Sequence, residues 1–246
     1  VKGPGPAAKQ HWFEPLAEHM GDAYLRYSFT KGTEQEVGFL VDALALAPGM
    51  RVLDVGCGPG RHAHALAALG IDVVGVDISQ RFVDLANEGA PPGATFQRAD
   101  ARALSFAAEF DVVLSLCQGA FGLVGDEDGA VLAGMARAVK AGGRVVFSAF
   151  SAYFMVRFLE DQDTFDAASG VNHETTTVKD NDGNELAAEL WTSCFTPREL
   201  RLLCGAAGLA TDAIWSVTPG AYERRPPDLE HPEYLVLARP DGALPA

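Results

Sequence analysis

The chain has 246 residues, enough for one large domain or for a domain with an insertion, and its 48% hydrophobic and 21% charged content suits a folded core. A formal net charge of -14 argues against a nucleic-acid partner, because an acidic surface repels phosphates and no Lys/Arg run offsets it. Four scattered cysteines (Cys57, Cys117, Cys194, Cys204) without a C-x-x-C pair argue against a zinc or disulfide framework and for a reducing, cytoplasmic compartment, and no apolar stretch is long enough for a membrane span.

The opening "VKGPGP" reads as a Gly/Pro tail without fixed structure, a processing remnant. Residues 10–47 form an N-terminal helical segment. Its first part, "QHWFEPLAEHMGDAYLRYSF", is loosely helical and aromatic. Its second, "TEQEVGFLVDALAL", is a firm helix with Thr33 and Glu36 as a capping box and Pro48-Gly49 as its end. Short, branched, apolar runs then recur at 51–55, 72–76, 94–98, 110–116 and 144–150. Helical stretches over 61–69, 79–88 and 126–140 separate them. Continuously apolar strands alternating with helices imply a parallel sheet covered on both faces.

The alternation breaks at 151. Within 151–194 the stretch "TTTVKDNDGNELAAELW" reads as a hairpin turning at Asp182-Gly183. The pattern resumes over 195–240, where Thr196, Pro197 and Glu199 start a helix and Gly208 ends it before a strand. "PEYLVLA" follows with no intervening helix, so the last two strands are expected to be antiparallel.

The stretch "VLDVGCGPGRHAHALAALGIDVVGVDIS" carries the chemistry. A strand running into Gly56, Gly58 and Gly60 lets a ligand approach the main chain at a helix N-terminus. Asp77 closes the second strand about twenty residues on, where a carboxylate commonly accepts ribose hydroxyls. "GPGRHA" also satisfies the G-x-G-x-x-A dinucleotide fingerprint, so a nicotinamide cofactor stays in view. Asp54, just before the glycines, counts against a pyrophosphate and favours an amino group or a sulfonium. The antiparallel C-terminal pair also fits poorly with an all-parallel nucleotide domain.

In order and spacing, "VLDVGCGPG", "VVGVDIS", "ATFQRADARAL", "FDVVLSL" and "AGGRVVFSAF" resemble the class I S-adenosylmethionine-dependent methyltransferases of small-molecule type. The resemblance covers residues 33–150 and 195–240 and leaves the insertion uncovered. It implies an α/β, Rossmann-like, doubly wound sheet of seven strands ordered 3-2-1-4-5-7-6, with strand seven reversed. For the cofactor S-adenosyl-L-methionine it implies Asp54 near the methionine amino group above the turn Gly56, Cys57, Gly58 and Gly60. Asp77 would take the ribose hydroxyls, with Ile78 against the adenine. Asp100 would reach the adenine amino group, with Ala101 offering its amide. Leu116, Cys117 and Gln118 would line the floor by the methyl donor, and Lys31 and Thr33 would approach the methionine carboxylate.

Plainer readings stand beside these. Asp77 could be a solvated strand-end acid capping the next helix, although Ser79 already supplies that cap. Cys57 and Cys117 read as small packing residues. His62 and His64 face nearly opposite sides of a helix and "DEDG" at 126–129 caps one, so no metal site is expected. The insertion overhangs the carboxyl edge as a lid, with Tyr153, Phe154, Arg157, Glu174 and Trp191 towards the acceptor. The alternative for its hairpin is a homodimer contact. His173 is the first choice for a general base and His62 the second, because histidine titrates near working pH.

"CQGAFG" after the fourth strand lacks the Asn/Asp-Pro-Pro-Tyr pattern of enzymes that methylate DNA bases and protein glutamines. Together with the acidity this leaves methyl transfer to an O or N nucleophile of a small organic molecule. An NAD(P)-linked oxidoreductase and a non-catalytic S-adenosylmethionine-binding regulatory subunit are the competing expectations.

Overall fold

Strands form where the branched apolar runs fall. In the computed structural model, which describes residues 11–242, β1 (Arg51–Val55), β2 (Asp72–Asp77), β3 (Ala94–Arg98) and β4 (Phe110–Ser115) lie parallel. The Gly/Pro run at the amino terminus lies outside the described residues. Helices α3 (Arg61–Ala68) and α4 (Gln80–Glu88) make the first two crossovers, and α5 (Asp128–Ala138) leads into β5 (Val139–Ser151). β5 begins five residues before the expected run, because the chain leaves α5 directly into strand, and the β4–β5 register shifts between Phe110 and Val112.

The sheet is buried on both faces, as continuous Val/Leu strands require. On one side Val37 and Leu40 of α2 (Thr33–Leu44), Leu66 of α3 and Val83 of α4 pack against Val52, Val73 and Leu114. On the other, Leu132 and Met135 of α5 and Leu200 of α7 (Pro197–Ala206) meet Leu53, Val113 and Phe147. The expected caps of α4 and α7 form: Ser79 accepts from the Phe82 amide, and Thr196 and Glu199 close a reciprocal capping box. The box expected at Thr33 does not form. The helix is entered from Gly32, Thr33 donates to the Thr30 carbonyl, and Glu36 turns inward to buried partners.

β9 (Leu209–Val217) and β10 (Glu233–Pro240) are antiparallel, and β10 lies between β5 and β9, also antiparallel to β5. The path β3-β2-β1-β4-β5-β10-β9 is therefore the expected order with the last strand reversed. The sheet nevertheless has ten strands where seven were expected. β6 (Thr164–Asp166), β7 (Val171–Lys179) and β8 (Glu185–Phe195) form an antiparallel extension that joins the end of β5 through Phe150↔Cys194 and Ser151↔Phe195. The turn between β7 and β8 holds because Asp180 accepts the amides of Asp182 and Asn184 while Gly183 takes φ +85°. After β5 the short α6 (Ala152–Arg157) starts at Ser151, whose hydroxyl accepts from the Phe154 amide.

The aromatic N-terminal stretch becomes α1 (Phe13–Met20), followed by 3₁₀ segments over Gly21–Arg26 and Ser28–Thr30. Leu16 and Met20 pack on Val178 and Ala188 of the hairpin, while Phe13 and Tyr24 rest on Phe82 of α4. The N-terminal segment and the hairpin thus meet over the carboxyl edge of the sheet. Among the described residues, no helix is long and apolar enough to cross a membrane.

Candidate functional site

β1 runs into Gly56, Gly58 and Gly60, all at positive φ. A Cβ on Gly56 would stand 2.0 Å from the Gly119 carbonyl, so the turns after β1 and β4 touch backbone to backbone and admit no side chain. The Gly56 and Cys57 amides both donate to the Val76 carbonyl, at 2.7 and 3.0 Å, which pins the turn onto β2. Asp77, 5% exposed, accepts the Gly58 amide at 2.9 Å and the Ser79 amide at 2.8 Å. Burial outweighs these donors and raises its pKa to about 6. Asp54 is 1% exposed and its Oδ2 has no hydrogen-bond partner. Burial raises its pKa as well, against the opposing charges of His62 and Arg61.

Beyond β4, Leu116 is buried in the core and its carbonyl accepts the Gly119 amide. Cys117 and Gln118 follow at φ +49° and +50°, two consecutive non-glycine residues in the left-handed region. Each such residue costs of order 1–3 kcal/mol, strain that persists only where the surroundings enforce it. Here two anchors do so: Arg61 reaches the Cys117 sulfur at 2.9 Å, and Gln118 donates to Glu233 Oε1 at 3.0 Å.

Two recesses open on this edge. A narrow cleft lies between Val76, Asp77, Ile78, Asp100 and Ala101, with His11 and Phe13 across from them. Asp100 lines it, but its oxygens are engaged by the Arg102 side chain and amide, and these hydrogen bonds hold its pKa down. The second recess is a cavity of about 480 Å³, within the usual range of small-ligand sites. Gly56, Gly58, Asp77, Cys117 and Gln118 form one end. Trp12, Phe13, Tyr24, Tyr27 and Phe82 form an aromatic wall, and Asn172, Glu174, Thr176, Leu190 and Thr192 of the hairpin form the roof. Glu233, at the start of β10, also lines it and adjoins Gln118.

Beneath the cavity Glu36 is fully buried. Its Oε2 accepts from Arg61 at 2.5 Å and meets His62 Nε2 at 2.7 Å, and its Oε1 accepts the Gly220 amide. Burial pushes its pKa up, but His62 and Arg61 overcome this and hold it at about 2. Glu36, His62 and Cys117 bring donor atoms within 4.8 Å of one another, a spacing compatible with a metal ion. The Arg61 guanidinium already bonds two of the three and supplies their positive charge.

Several expected site residues lie elsewhere. His62 is 5% exposed, bound to Glu36, and does not line the cavity. His173 points away from it: successive residues of a strand face opposite sides, and Asn172 and Glu174 take the cavity side. The His173 ring instead stacks on Trp191, centroids 4.9 Å apart, and its Nε2 is buried without a partner. Trp191 shares that outer face, edge-on to Trp12. Tyr153 is 46% exposed and outside the lining, and Arg157 is an exposed partner of Glu230. Lys31 is exposed, whereas Thr33 accepts a hydrogen bond from Arg61, the buried cation of this region. Cys57 is buried with its thiol pKa driven up by burial, and Gly60 lies against His64, Ala86 and Phe96. Of the insertion residues expected at the acceptor, Glu174 alone lines the cavity.

Sequence reasoning missed Glu233, Arg61, Glu36 and the aromatic wall. The signals were present: an acid opening the last apolar strand after Pro232, and five aromatic residues between positions 12 and 29.

A family model described as a methyltransferase domain matches residues 52–143. A demethylmenaquinone methyltransferase from Renibacterium salmoninarum is 39% identical over 114 residues, covering 46% of each chain. A ubiquinone biosynthesis O-methyltransferase from Thiobacillus denitrificans is 38% identical over 113 residues, covering 44% of this chain and 47% of the relative. The chain thus spans about half the length of the curated relatives it matches. Among solved structures, the CcbJ methyltransferase from Streptomyces caelestis superposes with a TM-score of 0.76 at 22% identity, over 95% of this chain and 99% of that one.

Proposed function

We propose that the protein is a class I S-adenosylmethionine-dependent methyltransferase that transfers a methyl group to an oxygen or nitrogen of a small organic molecule, a reading supported by the methyltransferase-domain match over residues 52–143 and by the relatives above. The observation that carries this reading is the cradle: a glycine turn pressed against Gly119, flanked by buried Asp54 and Asp77 and opening into a cavity of about 480 Å³.

The residues present fit S-adenosylmethionine. Asp54 Oδ2 is a buried acceptor without a donor, suited to an ammonium reached directly or through water. Asp77 faces the cavity at the strand end, where ribose hydroxyls are held, and Ile78 and Ala101 border the narrow cleft suited to an adenine. Lys31 does not line the cavity, and Arg61, to whose guanidinium Thr33 is bonded, is held by Glu36 and Cys117 behind it, so the cation expected for the methionine carboxylate is not among the described lining residues. When bound, the cofactor supplies a methyl group already activated on a positively charged sulfur. The chain's own work is to align the acceptor, exclude water and manage a proton. Cys117 and Gln118, held in strained conformations, present the floor of the cavity, and the aromatic wall and hairpin roof keep it dry.

A pyrophosphate-bearing cofactor would meet two buried carboxylates, and the described cavity lining contains no Lys or Arg to receive it. The nicotinamide reading therefore has no support here, and a cavity beside the cradle removes the reason to favour a purely regulatory binder. A cytoplasmic site of action accords with four free cysteines. The outer face of the hairpin, where Trp191 is 37% exposed, is where a homodimer contact would be sought.

Calorimetric titration with S-adenosylmethionine, S-adenosylhomocysteine and NAD tests the reading. Binding of the first two and not the third is expected. Asp77→Asn should weaken S-adenosylhomocysteine by roughly one to two orders of magnitude, the worth of charge-assisted hydrogen bonds. Uptake of NAD alone would overturn the assignment.

A further inference from the structure

Resting on the methyl-transfer reading, we propose that the acceptor is a cationic amine with an apolar body, and that Glu233 binds its nitrogen and takes its proton. Three carboxylates, Asp77, Glu174 and Glu233, line the cavity, and no Lys, Arg or His is among the described residues that do. Asp77 belongs to the cradle. The other two stand on β7 and β10, Glu233 beside Gln118.

Glu233 is the decisive group. It is 3% exposed, with Oε1 bonded to Gln118 and Oε2 without a hydrogen-bond partner. Ser148 of β5 lies close enough to hold the Glu233 pKa down somewhat, yet its buried hydroxyl and Glu233 Oε2 fall outside hydrogen-bond geometry with each other. A buried carboxylate with a vacant lone pair is costly unless something pairs with it. Arg61, the buried cation of this region, is committed to Glu36 and Cys117. Arg61 reaches Glu233 only as a weaker, more distant charge, whereas an ammonium entering the cavity supplies both a full counter-charge and the missing donor.

Glu174 adds to the same field. It is partly buried, and its pKa is raised by burial and then by the charges of Asp163 and Glu160. An anionic acceptor would meet this field as repulsion, and a neutral hydroxyl would gain nothing from it. Aromatic faces around the acids suit a cation and the hydrocarbon attached to it.

The proton step follows from the chemistry of amines. An ammonium has no lone pair and cannot accept a methyl group. Transfer of one proton to Glu233 breaks an N–H bond, leaves its electron pair on nitrogen and forms an O–H bond on the carboxyl. The acid then returns the proton to solvent when the cavity opens. Burial, with the Glu36 charge behind it, raises the Glu233 pKa to about 7, which suits this exchange near neutrality.

The test uses the full chain saturated with S-adenosylhomocysteine and three probes of one shape: 2-phenylethylamine, 2-phenylethanol and 3-phenylpropanoate. Calorimetry near neutral pH is expected to show the amine binding at least about tenfold more tightly than the alcohol, and the carboxylate not at all. Glu233→Gln should abolish the amine preference while leaving S-adenosylhomocysteine affinity within about twofold, which also certifies the fold. Glu174→Gln should reduce the preference without abolishing it. The proposal is overturned by the absence of an amine preference in the wild type, or by its survival in Glu233→Gln. Loss of S-adenosylhomocysteine affinity in that variant would assign Glu233 to the donor and also overturn it. Failure of the wild type to bind S-adenosylhomocysteine at all would instead defeat the methyl-transfer reading.

Discussion

Glu233 and Asp77 are both buried carboxylates with raised pKa values, and the sign of their effect on stability follows directly. A carboxyl group whose folded pKa lies above its unfolded value binds protons more tightly in the fold. Its ionisation penalty is absent below the unfolded value, grows between the two and is complete above the folded one. For Glu233 that window runs from the ordinary glutamate value of 4.5 to about 7. Glu233→Gln should therefore raise the Tm by several degrees at about pH 8 and by much less near pH 5, as thermal melts at the two pH values would show. A Tm gain independent of pH would contradict this. Asp77 gives a second pH signature. With a folded pKa of about 6 it is ionised above neutrality and protonated below, so S-adenosylhomocysteine affinity should be flat above about pH 7 and fall as the pH drops through 6. Asp77 could be read in the sequence because it closes an apolar strand at a fixed distance from the glycines. Glu233 could not, because its meaning depends on the tertiary encounter with Gln118, in the turn after β4, and on the cavity both line.

At the scale of elements, β1, β2 and β4 were legible because they are buried almost throughout and so written mainly in branched apolar residues, while the edge strand β3 (ATFQR) alternates buried and exposed. Of the helices in the alternating region, α4 followed from its Ser79 cap, whereas α3 and α5 start without a side-chain cap and Asp128 of the acidic run expected to cap α5 accepts the Gly122 amide instead. The hairpin was legible as a hairpin, but not its attachment to β5 or the direction of its faces. "VNHETTTVK" has no alternation of apolar and polar residues to mark an inner side, so nothing local distinguishes His173 from Glu174. Glu36 was misread for a related reason: a Thr-x-x-Glu spacing signals a cap, but the buried Arg61 and His62 on α3 compete for the same carboxylate and win. The cradle is an element-scale device too. Gly56→Ala would drive a methyl group into the Gly119 backbone, so it should abolish cofactor binding. Gly49→Ala, also at positive φ but with open space around it, should cost only about 1 kcal/mol of stability and leave binding intact. Parallel titrations and melts of the two variants separate steric contact from backbone preference.

Across the whole molecule, the cofactor edge of the sheet and the roof over it come from distant parts of the chain. Ligand binding should therefore protect segments far apart in sequence. With S-adenosylhomocysteine at about a hundredfold excess over its Kd, linkage adds roughly 2.7 kcal/mol to stability and should raise the Tm by about 5–10 °C. Hydrogen exchange should slow at 56–60, 77–79 and 116–119. An amine probe bound on top of it should extend the protection to 12–27 and 171–192, leaving α5 and α7 unchanged. Uniform protection over the molecule would show that the roof does not act as a separable layer.

The separation of cradle from roof has an evolutionary corollary. Most of the residues proposed to hold the donor sit inside 52–143, the stretch matched by the methyltransferase-domain model, whereas most of the cavity walls proposed to meet the acceptor lie outside it, before residue 52 or after residue 143. Mutation can redraw those walls while the inherited apparatus stays intact, so descent and specificity are recorded in different parts of the same gene. Under the proposed reading, likeness over the matched stretch speaks for the donor, while the choice of acceptor is written in the roof.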